Sequence, residues 1–264
     1  MLSILVFVLG LSSTPVPAAT VEENQVDVEL VLAVDMSGSM DTEEAEIQRS
    51  GYVEAITHPD FVNAVQTGRF GRIALSYFEW AGSVNETSLV DWQVIETGDD
   101  AATFAARIAS RPIATRRGTS ISNALAYGAR LIDANGYQGL RRVIDVSGDG
   151  PNNMGPPVSP ARDAVVDTGI TVNGLAILVR PSTTRGTLDS YYADCVIGGA
   201  GSFVVPVHRR DDFAMAIRQK LVMEITRRQP AARMLPTAGT ATDCMMGEKL
   251  RPRSVDRYYP ELDR

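Results

Sequence analysis

The chain has 264 residues, with 32 acidic against 25 basic side chains, a formal charge of −7, and 44% hydrophobic residues. That length suits one domain of about 200 residues plus flanking segments, and the acidic balance excludes a nucleic-acid partner, which needs a concentrated basic face. The only lysines are Lys220 and Lys249, which removes phosphate-binding Gly-Lys-Ser/Thr loops and Schiff-base chemistry from the earlier part of the chain.

Residues 1–19 carry an apolar run, LSILVFVLGL, followed by small residues and prolines. This resembles a secretory signal and implies a periplasmic or secreted protein, with the leader either cleaved or kept as an anchor. Beyond it, nothing approaches the roughly 18 uninterrupted apolar residues of a spanning helix, so no membrane span is expected in the mature chain.

Strand and helix patterns then alternate. VDVELVLAVD (26–35) becomes almost continuously apolar and reads as a central strand buried on both faces. Residues 41–57 carry acids early and apolar positions later, as a helix with a positive N-terminal end prefers. GRIALSYFEW (71–80) is the next strand. LVDWQVI (89–95) alternates like a half-exposed edge strand, reached by a short hairpin through Gly82 and Asn85. An alanine-rich helix is expected over 100–110, and a second over 119–134 with Thr119 at its N-cap. RRVIDVSGDG (141–150) is a third parallel strand. A helix follows from Pro156 and Pro157 to Val166, then strands in ITVNGLAIL (170–178) and GSFVVPV (201–207), and a closing helix over 211–226. The tail from Arg227 lacks periodicity and reads as extended or partly disordered. The pattern is α/β: a doubly wound, mostly parallel sheet with one antiparallel edge strand and helices on both faces.

The chemistry concentrates in DMSGSM (35–40), directly after the first core strand and before a helix. Open α/β sheets bind their ligands at this edge. Asp35, Ser37 and Ser39 alternate along a tight loop, so one carboxylate and two hydroxyls converge. Thr119 follows Gly118 at a helix start, and Asp149 precedes Gly150 at the end of a strand expected beside the first. All five are hard oxygen donors, suited to Mg2+, Mn2+ or Ca2+ rather than zinc or copper.

The D-x-S-x-S loop, the later Thr and the strand-end Asp-Gly resemble the metal-ion-dependent adhesion site (MIDAS) of the von Willebrand factor type A domain. The resemblance covers most of 26–226 and leaves 227–264 outside. With GRIALSYFEW and VIDVSGDGPNN, the run further resembles a family of exported bacterial A-domain proteins of unassigned function. The resemblance implies that Ser37 and Ser39 bind the ion directly, Thr119 directly or through water, and Asp35 and Asp149 mainly through water or as hydrogen-bond acceptors behind the direct ligands. An exchangeable position is then left for an Asp or Glu carboxylate from a protein partner. The function implied is a metal-dependent protein-binding module, not an enzyme.

Two alternatives share parts of the pattern: a haloacid dehalogenase-like phosphotransferase, and a structural assembly subunit in which the ion only holds the fold. The first needs an acid where Ser37 stands and a later lysine, and none precedes Lys220. A serine hydrolase lacks its G-x-S-x-G elbow and has only His58 and His208, both expected at the surface, as bases. Asp145 is expected to be buried and hydrogen-bonded or paired with an arginine. Asn152 and Asn153 are expected to shape a turn through local backbone hydrogen bonds, or else to line the rim of the site, and Glu79 and Trp80 are candidate contact residues. Cys195 and Cys244, 49 positions apart, fit an oxidising compartment. If paired, they would tie the tail to the domain with about 4 kcal/mol on the loop-entropy model.

Overall fold

A computed structural model describes residues 23–38, 42–179, 188–227 and 242–250. The signal-like segment, Ser39 and most of the tail lie outside the described residues. In chain order the elements are β1 (Gln25–Val26), β2 (Glu29–Asp35), α1 (Thr42–Thr57), α2 (Pro59–Gln66), β3 (Ile73–Trp80), β4 (Val84–Ile95), α3 (Gly98–Ala109) and α4 (Ile121–Ala134). There follow β5 (Gln138–Gly139), β6 (Arg142–Gly148), α5 (Val158–Asp167), β7 (Thr171–Ile177), α6 (Leu188–Tyr191), β8 (Val204–Val207), α7 (Phe213–Thr226) and α8 (Met246–Leu250).

Six strands form the main sheet in the order β4-β3-β2-β6-β7-β8. Every pair is parallel except β3 with β4, so β4 is the antiparallel edge. The winding direction reverses between β2 and β6. At that point the loops leaving the two strands diverge to opposite faces and open a crevice. All seven residues of β2 are buried, as a central parallel strand covered on both faces requires. One face packs Leu30, Leu32, Val34, Leu75 and Tyr77 under α1, α2, α3 and α7; the other packs Val31, Ala33, Phe78, Ile144 and Val146 under α4 and α5.

Several expectations are corrected in detail. The first strand does not run unbroken from 26 to 35. The buried Asp27 carboxylate accepts the amides of Phe70 and Arg72 at 3.1 and 3.3 Å, which turns the chain so that Gln25–Val26 pairs with β5 instead. α2 arises where no helix was expected. His58 is its N-cap, its Nδ1 accepting from the Asp60 amide at 3.1 Å, and Pro59 supplies the fixed φ of a first helical residue. β4 begins at Val84, so Asn85 lies inside the strand rather than in the hairpin turn. Ser120, not Thr119, caps α4 by accepting from the Asn123 amide. The tail contains one short described helix, α8.

Glu79 and Trp80 are not surface contact residues: both are buried. Glu79 Oε1 takes the Arg49 guanidinium at 2.6 Å and the Tyr77 hydroxyl at 2.8 Å. Arg49 in turn donates to the carbonyls of Arg111 and Pro112, which anchors the segment leading to Thr119. Asp145 is buried as expected, but its partner is Lys220 rather than an arginine. Lys220 Nζ also stands 2.6 Å from Glu224 Oε1, which accepts from Asn173 Nδ2 at 3.2 Å.

This interior cluster has an acid excess. Burial, and then the charge of Asp145, push the Glu224 carboxyl up to about 7 against the pull of Lys220, and burial raises Asp145 as well. Lys220→Met is therefore expected to cost about 3–5 kcal/mol at pH 8, the range for a buried ion group that loses one partner. The cost should shrink at pH 5, because acids whose folded-state pKa is raised take up protons as pH falls and no longer need the cation. Urea unfolding at the two pH values checks this, and an equal loss at both would contradict it.

Candidate metal centre

The carboxyl ends of β2 and β6 bring together four of the five residues expected there, Asp35, Ser37, Thr119 and Asp149. Asp35 is the last residue of β2 and is fully buried. Its Oδ1 accepts the Ser37 amide at 2.7 Å, which folds the following loop back over the strand end. Asp149 directly follows β6, the neighbouring strand, in which Ser147 pairs with Val34.

Thr119 comes from a third stretch. The Arg116 amide donates to the Met36 carbonyl at 3.1 Å, the Gly82 amide to Arg117 at 3.2 Å, and the Ser120 amide to Ala81 at 2.8 Å. Segment 116–120 is thus sewn to the loops after β2 and β3. Asn153 completes the placement: its Oδ1 accepts the Thr119 amide at 2.9 Å, and its own amide donates to the Thr119 carbonyl at 2.8 Å. Because Ser120 serves as the helix cap, the Thr119 hydroxyl is not consumed by that role. A Cβ on Gly150, next to Asp149, would stand 3.9 Å from Thr119 Oγ1. Asp35, Ser37, Thr119 and Asp149 therefore meet at one sheet edge; Ser39 lies outside the described residues.

The electrostatics of this edge are strained. Asp35 is raised well above the usual carboxylate range, first by burial and then by the Asp149 charge; the Ser37 hydroxyl and the amides of Ser37 and Asp149 oppose the shift. Asp35 Oδ2 is buried without a hydrogen-bond partner of normal geometry. A side chain is excluded at Gly148, where a Cβ would stand 2.9 Å from that oxygen and 2.5 Å from the Tyr192 hydroxyl. Tyr192 Oη is itself buried and unpartnered, and burial, Asp35 and Asp149 all push its ionisation up. Two buried oxygen atoms, Asp35 Oδ2 and Tyr192 Oη, thus lack hydrogen-bond partners beside the acids, an arrangement a hard cation would relieve. Among the described residues no three His, Cys, Asp or Glu side chains are grouped so as to hold a metal ion.

Tyr192 and Asn153 carry much of this arrangement. In the sequence Asn153 reads as a turn former or a rim residue, and Tyr192 carries no local signal, since it reaches the site from the turn after α6. His58 is half-buried at its helix cap, and His208 is exposed, as expected of a surface histidine.

The sheet order and the antiparallel edge are those of the von Willebrand factor type A fold, and solved structures share that fold. The pilus adhesin SpaC from Lactobacillus rhamnosus GG superposes with a TM-score of 0.57 at 13% identity, over 77% of this chain and 31% of that one. Proximal thread matrix protein 1 from the mussel byssus, with a zinc-occupied MIDAS motif, gives 0.57 at 16% identity, over 78% and 49%. The vWF domain of the type V pili tip protein Mfa5 from Porphyromonas gingivalis gives 0.56 at 8%, over 80% and 98%. The chain thus spans less than half of the adhesin and of the byssus protein. No curated protein sequence matches. A family model described as "Protein of unknown function (DUF1194)" matches residues 25–229, and the chain belongs to that family.

The crowding at Gly148 is directly testable. Gly148→Ala is expected to destabilise the fold by about 1–3 kcal/mol, as overpacking does. Adding Tyr192→Phe, which removes the nearest atom, should recover part of the loss in denaturant unfolding. A Gly148→Ala protein as stable as the wild type would contradict the described packing.

Proposed function

We propose that this chain is an exported, divalent-cation-dependent protein-binding module that grips a carboxylate of its partner through Asp35, Ser37, Ser39, Thr119 and Asp149. The observation that carries the reading is the buried Asp35 carboxylate, with one oxygen unpartnered, facing a second acid where the sheet switches direction. A cation at this edge relieves a repulsion that the Ser37 hydroxyl and the amides of Ser37 and Asp149 offset only in part. Ser37 and Thr119 bring neutral hydroxyls, so the two acids do not saturate a doubly charged ion, and an Asp or Glu from a partner completes the set.

The oxygen-only donors favour Mg2+, with Mn2+ and Ca2+ as alternatives. A zinc ion occupies the corresponding motif in the byssus protein, so zinc belongs in any comparison. The adhesin and pilus-tip proteins that share the fold support a role in adhesion-type contacts in the periplasm or outside the cell. A non-catalytic role is supported by the fate of the remaining reactive groups. Lys220 is locked between Asp145 and Glu224, Lys249 pairs with Asp243, and His58 caps a helix.

Calorimetric titration with Mg2+, Mn2+, Ca2+ and Zn2+ checks the site. Binding of one ion per chain is expected, weakened more than about tenfold in Asp35→Ala, which removes a carboxylate of the set. At a cation concentration 100 times Kd, the melting transition should reflect a gain of about 2.7 kcal/mol, absent in the variant. Envelope proteins captured by the wild-type chain should be released by chelator; a partner retained equally by Asp35→Ala would contradict metal-mediated gripping.

A further inference from the structure

Residues 242–250 lie beyond both the A-domain pattern and the family-model match, yet they pack onto the loop that builds the candidate site. Cys244 is joined to Cys195 by a disulfide. Cys195 sits in the wide helical turn Tyr192–Val196, the turn whose first residue directs its hydroxyl at Gly148 and Asp35. Cys244 and Met246 pack against the core on that face, and the Thr242 hydroxyl donates to Asp194.

α8 then reaches the 150s loop. Gly247 lies so close that a Cβ there would stand 2.0 Å from the Asn152 carbonyl oxygen. Glu248 Oε1 accepts from Asn152 Nδ2 at 2.8 Å. Asn152 is fully buried and bonds in every direction. Its Oδ1 accepts the Ser122 amide at 3.2 Å, its Nδ2 also donates to the Pro156 carbonyl, and its amide donates to the Tyr191 hydroxyl. A line of contacts therefore runs from Glu248 through Asn152 to the first turn of α4, while the adjacent Asn153 holds Thr119.

We propose that segment 242–250 is a working part of the site, with Glu248 as a positioning residue that acts through Asn152, and that the Cys195–Cys244 bond makes cation affinity sensitive to reduction. This rests on the cation-binding reading above. Geometry supplies the reason: five residues of helix cannot hold themselves in place, so Glu248 stays on Asn152 because the disulfide tethers its helix. Reduction by a dithiol breaks the S–S bond and leaves two thiols, while the dithiol becomes a cyclic disulfide. Two electrons and two protons pass to the protein. The released segment then leaves Asn152 with one fewer acceptor and the Asp149 loop without its outer support. In an oxidising compartment the bond forms and the site is held ready.

The test uses the full chain with Mg2+ as probe. Kd is measured for the oxidised protein, the dithiothreitol-reduced protein and Cys195→Ser/Cys244→Ser, alongside hydrogen exchange of the peptides spanning 119–124 and 149–154. Reduction is expected to raise Kd about tenfold, the lower end for losing support outside the direct ligands, and to speed exchange in those two peptides above all others. Glu248→Ala should do the same with the disulfide intact. Glu248→Gln, whose carbonyl still accepts from Asn152, should restore wild-type values, which a general loss of stability would not do. Unchanged Kd and exchange on reduction, or exchange rising uniformly over the chain, overturns the proposal. If the oxidised protein binds no Mg2+, the cation-binding reading fails and the affinity claim with it. Accelerated exchange confined to 119–124 and 149–154 would still support the positioning role.

Discussion

A fully buried carboxylate, Asp35, set beside the half-buried Asp149 at a sheet edge is the constraint around which this molecule is arranged. Asp35 is fully buried and is pushed toward its neutral form by burial and by Asp149. Unfolded, each acid would be hydrated and far from the other; folding brings them together because β2 and β6 are hydrogen-bonded neighbours. The Ser37 hydroxyl and the amides of Ser37 and Asp149 relieve the conflict only in part: Asp35 Oδ2 has no hydrogen-bond partner among the described residues, and neither lysine is placed there, Lys220 being held by Asp145 and Glu224 and Lys249 by Asp243. Buried unpaired charge is among the costliest features a fold can carry.

The supporting structure follows from that placement. The loop bearing Thr119 is anchored from below by Arg49, itself fixed by Glu79, and from above by Asn153. Both anchors act on backbone, so the Thr119 hydroxyl keeps its freedom to serve as a donor atom. Gly148 matters because the space a side chain would take is already filled by Tyr192 and Asp35 oxygen atoms. On the far side, the Cys195–Cys244 bond brings a piece of the tail onto the same loop.

Much of the fold could be read from the sequence, because its main signals are local. The apolar run ending in Asp35, the alternation in β4, the strand-end Asp149 and the hydroxyl-rich loop depend on spacing along the chain, and the winding order then brings Asp35 and Asp149 to adjacent strands. Where the reading failed, a distant partner decided the outcome. Asp27 breaks the first strand because the amides of Phe70 and Arg72 claim its carboxylate. Glu79 looks like an edge acid until Arg49 is placed opposite it. Thr119 and Ser120 are adjacent hydroxyls, and only the geometry of α4 shows which one is its cap. α8 is too short to leave a periodic trace, and Tyr192 has no motif at all.

The proposed cation would sit where β2 and β6 end. Anomalous X-ray diffraction from crystals grown with Mn2+ tests it most directly. A single strong peak within direct or water-bridged reach of Asp35, Ser37, Thr119 and Asp149 is the result the account requires. A fully occupied crystal form with no peak at that edge, or with its only peak elsewhere on the chain, would contradict it.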